Sequence, residues 1–100
     1  MNIEIKEQNG SYLGILTGWI DTAEATQFLE DLQPLMNNAG KSIEIDCSKL
    51  EYMCSLGLRG LLKLKKESAA KGGSLVLMHV EGEFQKIMKI TGFDKLFDLR

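Results

Sequence analysis

MCSLGLRGLL, residues 53–62, decides how this chain folds. A polar pair, Cys54 and Ser55, and two glycines, Gly57 and Gly60, interrupt a run that is otherwise nearly all leucine. A buried strand has no use for glycines so closely spaced, and each glycine inside a helix costs ~1 kcal/mol relative to alanine. The pattern fits a junction where a strand gives way to a helix. There Ser55 can cap the first turn by accepting from a free amide, Gly57 lets the backbone turn or approach closely, and Gly60 lets the helix pack tightly on a sheet. Such a junction also presents unpaired amides and the positive end of a helix dipole, which favour a negative charge. A phosphate on a hydroxyl here would be tolerated locally while adding ~1.5 to 2 negative charges to the surrounding surface.

Working outward, the helix that begins here is expected over 56–71. Leu58, Leu61, Leu62 and Ala69 share one face, with Arg59, Lys63, Lys66 and Lys71 mostly outside it and GG at 72–73 ending it. Upstream, SIEIDC (42–47) reads as a short alternating strand and SKLEY (48–52) as a connection. Downstream, SLVLMHV reads as a buried strand, and EGEFQKIMKITG as a third helix presenting Phe84, Ile87 and Met88 and stopping at Gly92. The tail holds Phe93, Leu96, Phe97 and Leu99, enough to pack back on the body, with a short strand as one possibility. At the other end, NIEIKE and YLGILTG flank the turn NGS at 9–11, an antiparallel pair. DTAE at 21–24 has capping-box spacing and opens a first helix over about 22–38, in which Pro34 is a misfit that should kink or end the helix early.

Strands that alternate with helices after an initial hairpin imply right-handed crossovers. The expected fold is therefore α/β: a mixed sheet of four to five strands, mostly parallel with an antiparallel N-terminal edge pair, packed with three or more helices. One hundred residues, 44% of them hydrophobic, suffice for one core, so 1–100 is expected to be a single domain.

Composition narrows the function. Twelve basic and 14 acidic residues leave a net charge of −2, which offers no field to hold nucleic acid or an anionic membrane. No run approaches the ~20 apolar residues of a membrane span, and MNIEIKEQNG lacks the apolar middle of a signal peptide, so a cytoplasmic location is expected. Cys47, Cys54 and the one histidine, His79, cannot assemble a four-ligand zinc site, and no cofactor is expected. The two cysteines read as inert thiols and His79 as semi-buried. A disulfide between the cysteines is the alternative to free thiols. An enzyme built on Asp21, Ser55 and His79 would lack a phosphate loop, a metal cluster and a paired acid and base, so no catalytic residue is assigned.

IDCSKLEYMCSLGLRGLL, residues 45–62, resembles the signature of the STAS domains, the fold of bacterial anti-sigma factor antagonists and of sulphate-transporter tails. LTGWIDTAEA (16–25), the GG before LVLMHV, and ITGFDKLFDL (90–99) resemble further family segments in the right order. The resemblance implies a non-enzymatic protein that binds an anti-sigma factor, often a serine kinase using ATP, and so frees a sigma factor; phosphorylation reverses the binding. With the charge and hydropathy reading above, the expected partner is an anti-sigma factor, with no cofactor, no metal, no direct nucleic acid and no membrane, and a monomer or weak dimer is expected. Aligning Gly57 and Leu58 with the family's glycine and leucine puts Ser55 on the first serine. Leu56 then stands on the second, the usual acceptor, and Cys54 where an aspartate is expected.

Ser55 is accordingly the candidate phosphoacceptor, with a plain helix cap and a partner contact as its alternatives. Asp21, Thr22, Cys54, Ser55, Leu56 and Gly57 form the candidate partner-binding set; Leu56 is either an interface anchor or core, and Asp21 also reads as a helix cap. Trp19 reads as structural packing or an interface anchor. Lys63, Lys65, Lys66 and Lys71 form a basic stripe that is either a solvated face or a meeting place for an acidic partner. A scaffold or small-ligand sensor without the phosphoserine switch is the alternative function.

Overall fold

The computed structural model describes residues 2–100. Five strands, β1 (Ile3–Gln8), β2 (Ser11–Ile20), β3 (Ser42–Met53), β4 (Ser74–Met78) and β5 (Asp98–Leu99), form one sheet in the order β1-β2-β3-β4-β5. The first pair is antiparallel and the others are parallel, as expected from the hairpin followed by crossovers. Asn9 and Gly10 both take positive φ, +54° and +80°, the twist that a two-residue hairpin turn requires. The connections are α1 (Thr22–Asp31) and α2 (Gln33–Met36), then α3 (Ser55–Ala70), then α4 (Gly82–Thr91) with a 3₁₀ turn at Phe93–Lys95.

Each crossover advances one strand in the same direction, so right-handed connections place their helices on one face of the sheet. Burial follows that geometry. Leu16, Ile43, Ile45, Leu75 and Leu77 are fully buried against Phe28 of α1, Leu58, Leu61 and Leu64 of α3, and Phe84 and Met88 of α4. The alternate positions Leu13, Ile15, Val76 and Met78 are only half-buried on the opposite face.

Four expectations need correcting. The helix expected over 22–38 is two helices: it ends early, as Pro34 implied, breaking at Leu32, and Pro34 lies in the first turn of α2, where a missing amide costs no helical bond. SKLEY is strand rather than connection, because β3 continues to Met53 through register shifts against β2 between Ile15 and Thr17 and between Gly18 and Trp19. These bulges space the inward residues Cys47, Leu50 and Met53 three apart, which hides the two-residue alternation that marks a strand. The buried face of α3 runs through Gly57, Leu58, Leu61, Leu64 and Ser68, while Ala69 is exposed. His79 is exposed and lies beyond the end of β4 with φ +58°.

The terminal segment packs back as expected through Phe97, and the GG pair closes α3. Gly72 donates to Ala69 at 3.3 Å and Gly73 to Ser68 at 2.8 Å, the paired bonds of a left-handed helix stop.

Candidate functional site

β2 and β3 end side by side, Ile20 opposite Met53, and the amide of Cys54 donates to the Ile20 carbonyl at 2.9 Å. This bond ties the starts of α1 and α3 into one corner at the carboxyl edge of the parallel strands, where open α/β sheets place their binding crevices. Asp21, Thr22, Ser55 and Leu56, separated by more than thirty positions in sequence, meet there.

The two helix starts are built differently. Asp21 is the N-cap of α1: its backbone is extended and its Oδ1 accepts from the Glu24 amide at 3.0 Å. Glu24 adds a second carboxylate in the same turn. In α3 the N-cap position is Cys54, which is buried and makes no side-chain capping bond. Ser55 is the first helical residue, not the cap, so the capping role expected for it is not realised. It is exposed, and among the described residues its hydroxyl has no hydrogen-bond partner. With no acidic residue in its first turn, α3 leaves its free amides and positive dipole end uncompensated.

Both glycines of the junction are explained by close approach. A Cβ on Gly57 would meet Met53 Cγ at 2.7 Å, and one on Gly60 would fall on Leu29 Cδ2. Gly60 therefore serves the contact between α3 and α1, a helix–helix approach rather than the helix–sheet approach expected. Gly57 is buried, so with Cys54 it lies beneath the corner's surface. Leu56 is half-buried and lines a cleft of about 350 Å³ between α3 and the α1–α2 pair, together with Leu29, Leu32, Met36, Arg59 and Lys63.

Trp19 is 57% exposed and stacks on Tyr52, ring centroids 4.6 Å apart. The pairing was hidden in the sequence because Tyr52 falls in the segment read as a connection. The basic stripe divides: Lys65 pairs with Asp98 at 2.7 Å and Lys71 with Glu67 at 3.6 Å, whereas Lys63 and Lys66 form no ion pair among the described residues.

The remaining chemical groups lie away from the corner or are silenced. Both cysteines are free. Burial, and secondarily the Asp46 charge, pushes the Cys47 thiol up to about 12, which leaves it protonated and inert. Burial also tends to raise Asp46, but hydrogen bonds from the Ser48 amide, at 2.9 Å, and hydroxyl, with the charges of His79 and Lys49, hold it below the usual carboxylate value. His79 follows Met78, which pairs with Asp46; Ser55 lies beyond Met53, seven residues further along β3, or roughly 20 Å at strand rise. The trio Asp21, Ser55 and His79 is therefore not assembled.

The family model described as Mlab, STAS domain, matches residues 15–99. The chain belongs to the STAS domain family. This STAS domain is 26% identical over 97 residues to BtrV of Bordetella bronchiseptica, a candidate anti-sigma factor antagonist, covering 97% of this chain and 84% of that protein. It is 27% identical over 101 residues to the anti-sigma-B factor antagonist of Listeria monocytogenes, covering 100% and 89%. Among solved structures, the Bacillus anti-sigma factor antagonist SpoIIAA has the same fold. Its unphosphorylated form superposes with a TM-score of 0.72 at 15% identity, covering 98% of this chain and 86% of that one. Its phosphorylated form gives 0.72 at 16%, covering 98% and 90%.

Proposed function

We propose that this STAS domain is an anti-sigma factor antagonist. It binds an anti-sigma factor of the serine-kinase type through the corner formed by the starts of α1 and α3, and thereby regulates sigma-factor-dependent transcription. The observation that carries this reading is the Cys54–Ile20 hydrogen bond, which brings Asp21, Thr22, Ser55 and Leu56 together on one surface. Relatives named as anti-sigma factor antagonists that match along nearly the full chain support it.

The corner carries no reaction of its own in this reading; it is a docking surface in the cytoplasm whose charge decides affinity. Ser55 is the acceptor in the switched state. Among the described residues its hydroxyl is unpartnered, and it sits on the end of α3 whose first turn holds no acid, where a phosphate dianion is locally favoured. The same dianion stands across the corner from Asp21 and Glu24, so the surface becomes strongly acidic and an acidic or apolar partner patch is repelled.

Titrating each purified anti-sigma factor of the source organism into the protein by calorimetry tests the docking reading. A one-to-one complex is expected with one of them, and silence from all of them removes it. Incubation with that factor and ATP, followed by intact mass, tests the switch: one added phosphoryl group, abolished by Ser55→Ala, is expected. A complex without phosphorylation favours the second reading, a STAS scaffold or small-ligand sensor. That reading has its own support in Leu56, which has no hydroxyl at the position where the family signature carries its usual acceptor.

A further inference from the structure

The cleft beside Leu56 is apolar inside and basic on one rim. Leu29, Leu32, Met36 and Leu56 supply its walls, and Arg59 and Lys63 project from α3 at its edge. Lys66 continues the same stripe at helical spacing. All three cations are exposed, and among the described residues none is in an ion pair, although Lys65 and Lys71 on the same helix are. Arg59 reaches only the Ser55 carbonyl, from Nε at 3.4 Å. The opposite rim is neutral: Gln33 donates to Asn37 at 2.9 Å, and no carboxylate lines the cleft.

We propose that this cleft receives an amphipathic helix of the partner whose apolar ridge is flanked by carboxylates. The inference rests on the docking function above and names the chemistry of the partner segment. A helix that lays apolar residues at i, i+3 or i+4 and i+7 into a groove buries about two turns. From Arg59 to Lys66, α3 also advances two turns, roughly 10 Å. Carboxylates along one edge of the incoming helix therefore come into register with three cations that form no ion pair among the described residues. Leu56 gives the mouth of the cleft an apolar wall at the helix turn adjoining Ser55. A charge added at Ser55 consequently stands at the edge of this groove and opposes the same carboxylates, which joins the switch to the affinity of the groove.

The test uses the intact, isotope-labelled protein and two synthetic helical peptides of identical leucine spacing, one flanked by glutamates and one by lysines. Amide shifts on titration with the glutamate peptide are expected to map to Leu29, Met36, Leu56 and Gly60. Binding should weaken at least tenfold in the Arg59→Glu/Lys63→Glu variant, with the lysine peptide then favoured. Arg59→Gln/Lys63→Gln, a milder change at two exposed sites, should give an intermediate loss and guards against misfolding of the first variant. Equal response to both peptides, no response, or shifts elsewhere on the surface overturn the proposal. Saturation of the same amides by decanoate but not by the glutamate peptide also overturns it, in favour of an acyl ligand. The two readings fail separately: an anti-sigma factor that binds wild type and both variants equally leaves the antagonist function standing and removes the acidic helix. Peptide binding without any anti-sigma factor complex does the reverse.

Discussion

Cys54, sealed beneath the corner, directly precedes Ser55, which is exposed on the first turn of α3. That offset fixes what substitutions at Ser55 do. Ser55→Asp adds a carboxylate to an uncompensated helix start and is expected to stabilise the fold by about 0.3–1 kcal/mol in urea unfolding. It should simultaneously weaken the anti-sigma complex, and a variant that loses both stability and binding would contradict the assignment of its position. Ser68 is the opposite case, a buried hydroxyl in α3 with no hydrogen-bond partner among the described residues. Ser68→Ala removes an unmet hydrogen-bonding group and gains helix propensity, so a stability increase of roughly 1 kcal/mol is expected.

Titration acts through single residues as well. Asp46 is held below its unfolded value, so its contribution is present above about pH 4 and is lost as pH falls through the lower, folded value. Asp46→Asn should flatten that acid limb of the stability curve by lowering the neutral plateau, with little change at the acid end. The Cys47 thiol, at about 12, holds roughly one thiolate in ten thousand at pH 8, so a thiol reagent should label it only after unfolding.

At the scale of elements, the close approaches of the glycines set a ranking. A Cβ at Gly60 meets the end of the half-buried Leu29 side chain, which can swing into the cleft. A Cβ at Gly73 meets the backbone carbonyls of Ala39 and Lys41, which cannot move without displacing the segment that leads into β3. Gly73→Ala is therefore expected to cost more than ~2 kcal/mol. Gly60→Ala should cost less, because alanine's better helix propensity offsets part of the strain. It should instead narrow the cleft and weaken peptide binding there. Denaturant curves for the two variants decide the order, and equal losses would mean that Leu29 is as fixed as the backbone.

For the molecule as a whole, the sheet order makes β3 the central strand, flanked by parallel neighbours and covered on one face. Native-state hydrogen exchange is expected to be slowest at Ile43, Ile45 and Leu77, and fastest at the two-residue edge strand β5. The extension of β3 past the end of β4 also carries the half-buried Tyr52, on which the exposed Trp19 stacks, to the edge of the sheet that holds the candidate corner.

The strand order, the antiparallel hairpin, the parallel crossovers and, to within one residue, the start of α3 were legible in the chain, because each is written in local periodicity and turn residues; the cap of α3 was misplaced from Cys54 onto Ser55. The family signature suggested the corner as the candidate site. What stayed hidden depended on partners remote in sequence. The bulges of β3 break alternation and are defined only against β2; the role of Gly60 needs Leu29, and the exposure of Trp19 needs Tyr52 beside it. Nor can spacing tell which lysines of α3 are already paired, since Asp98 lies 33 positions from Lys65. Local sequence sets backbone conformation through short-range sterics and hydrogen bonds. Only the packed sheet decides which side chains meet, and therefore which charges and apolar faces are left for another molecule.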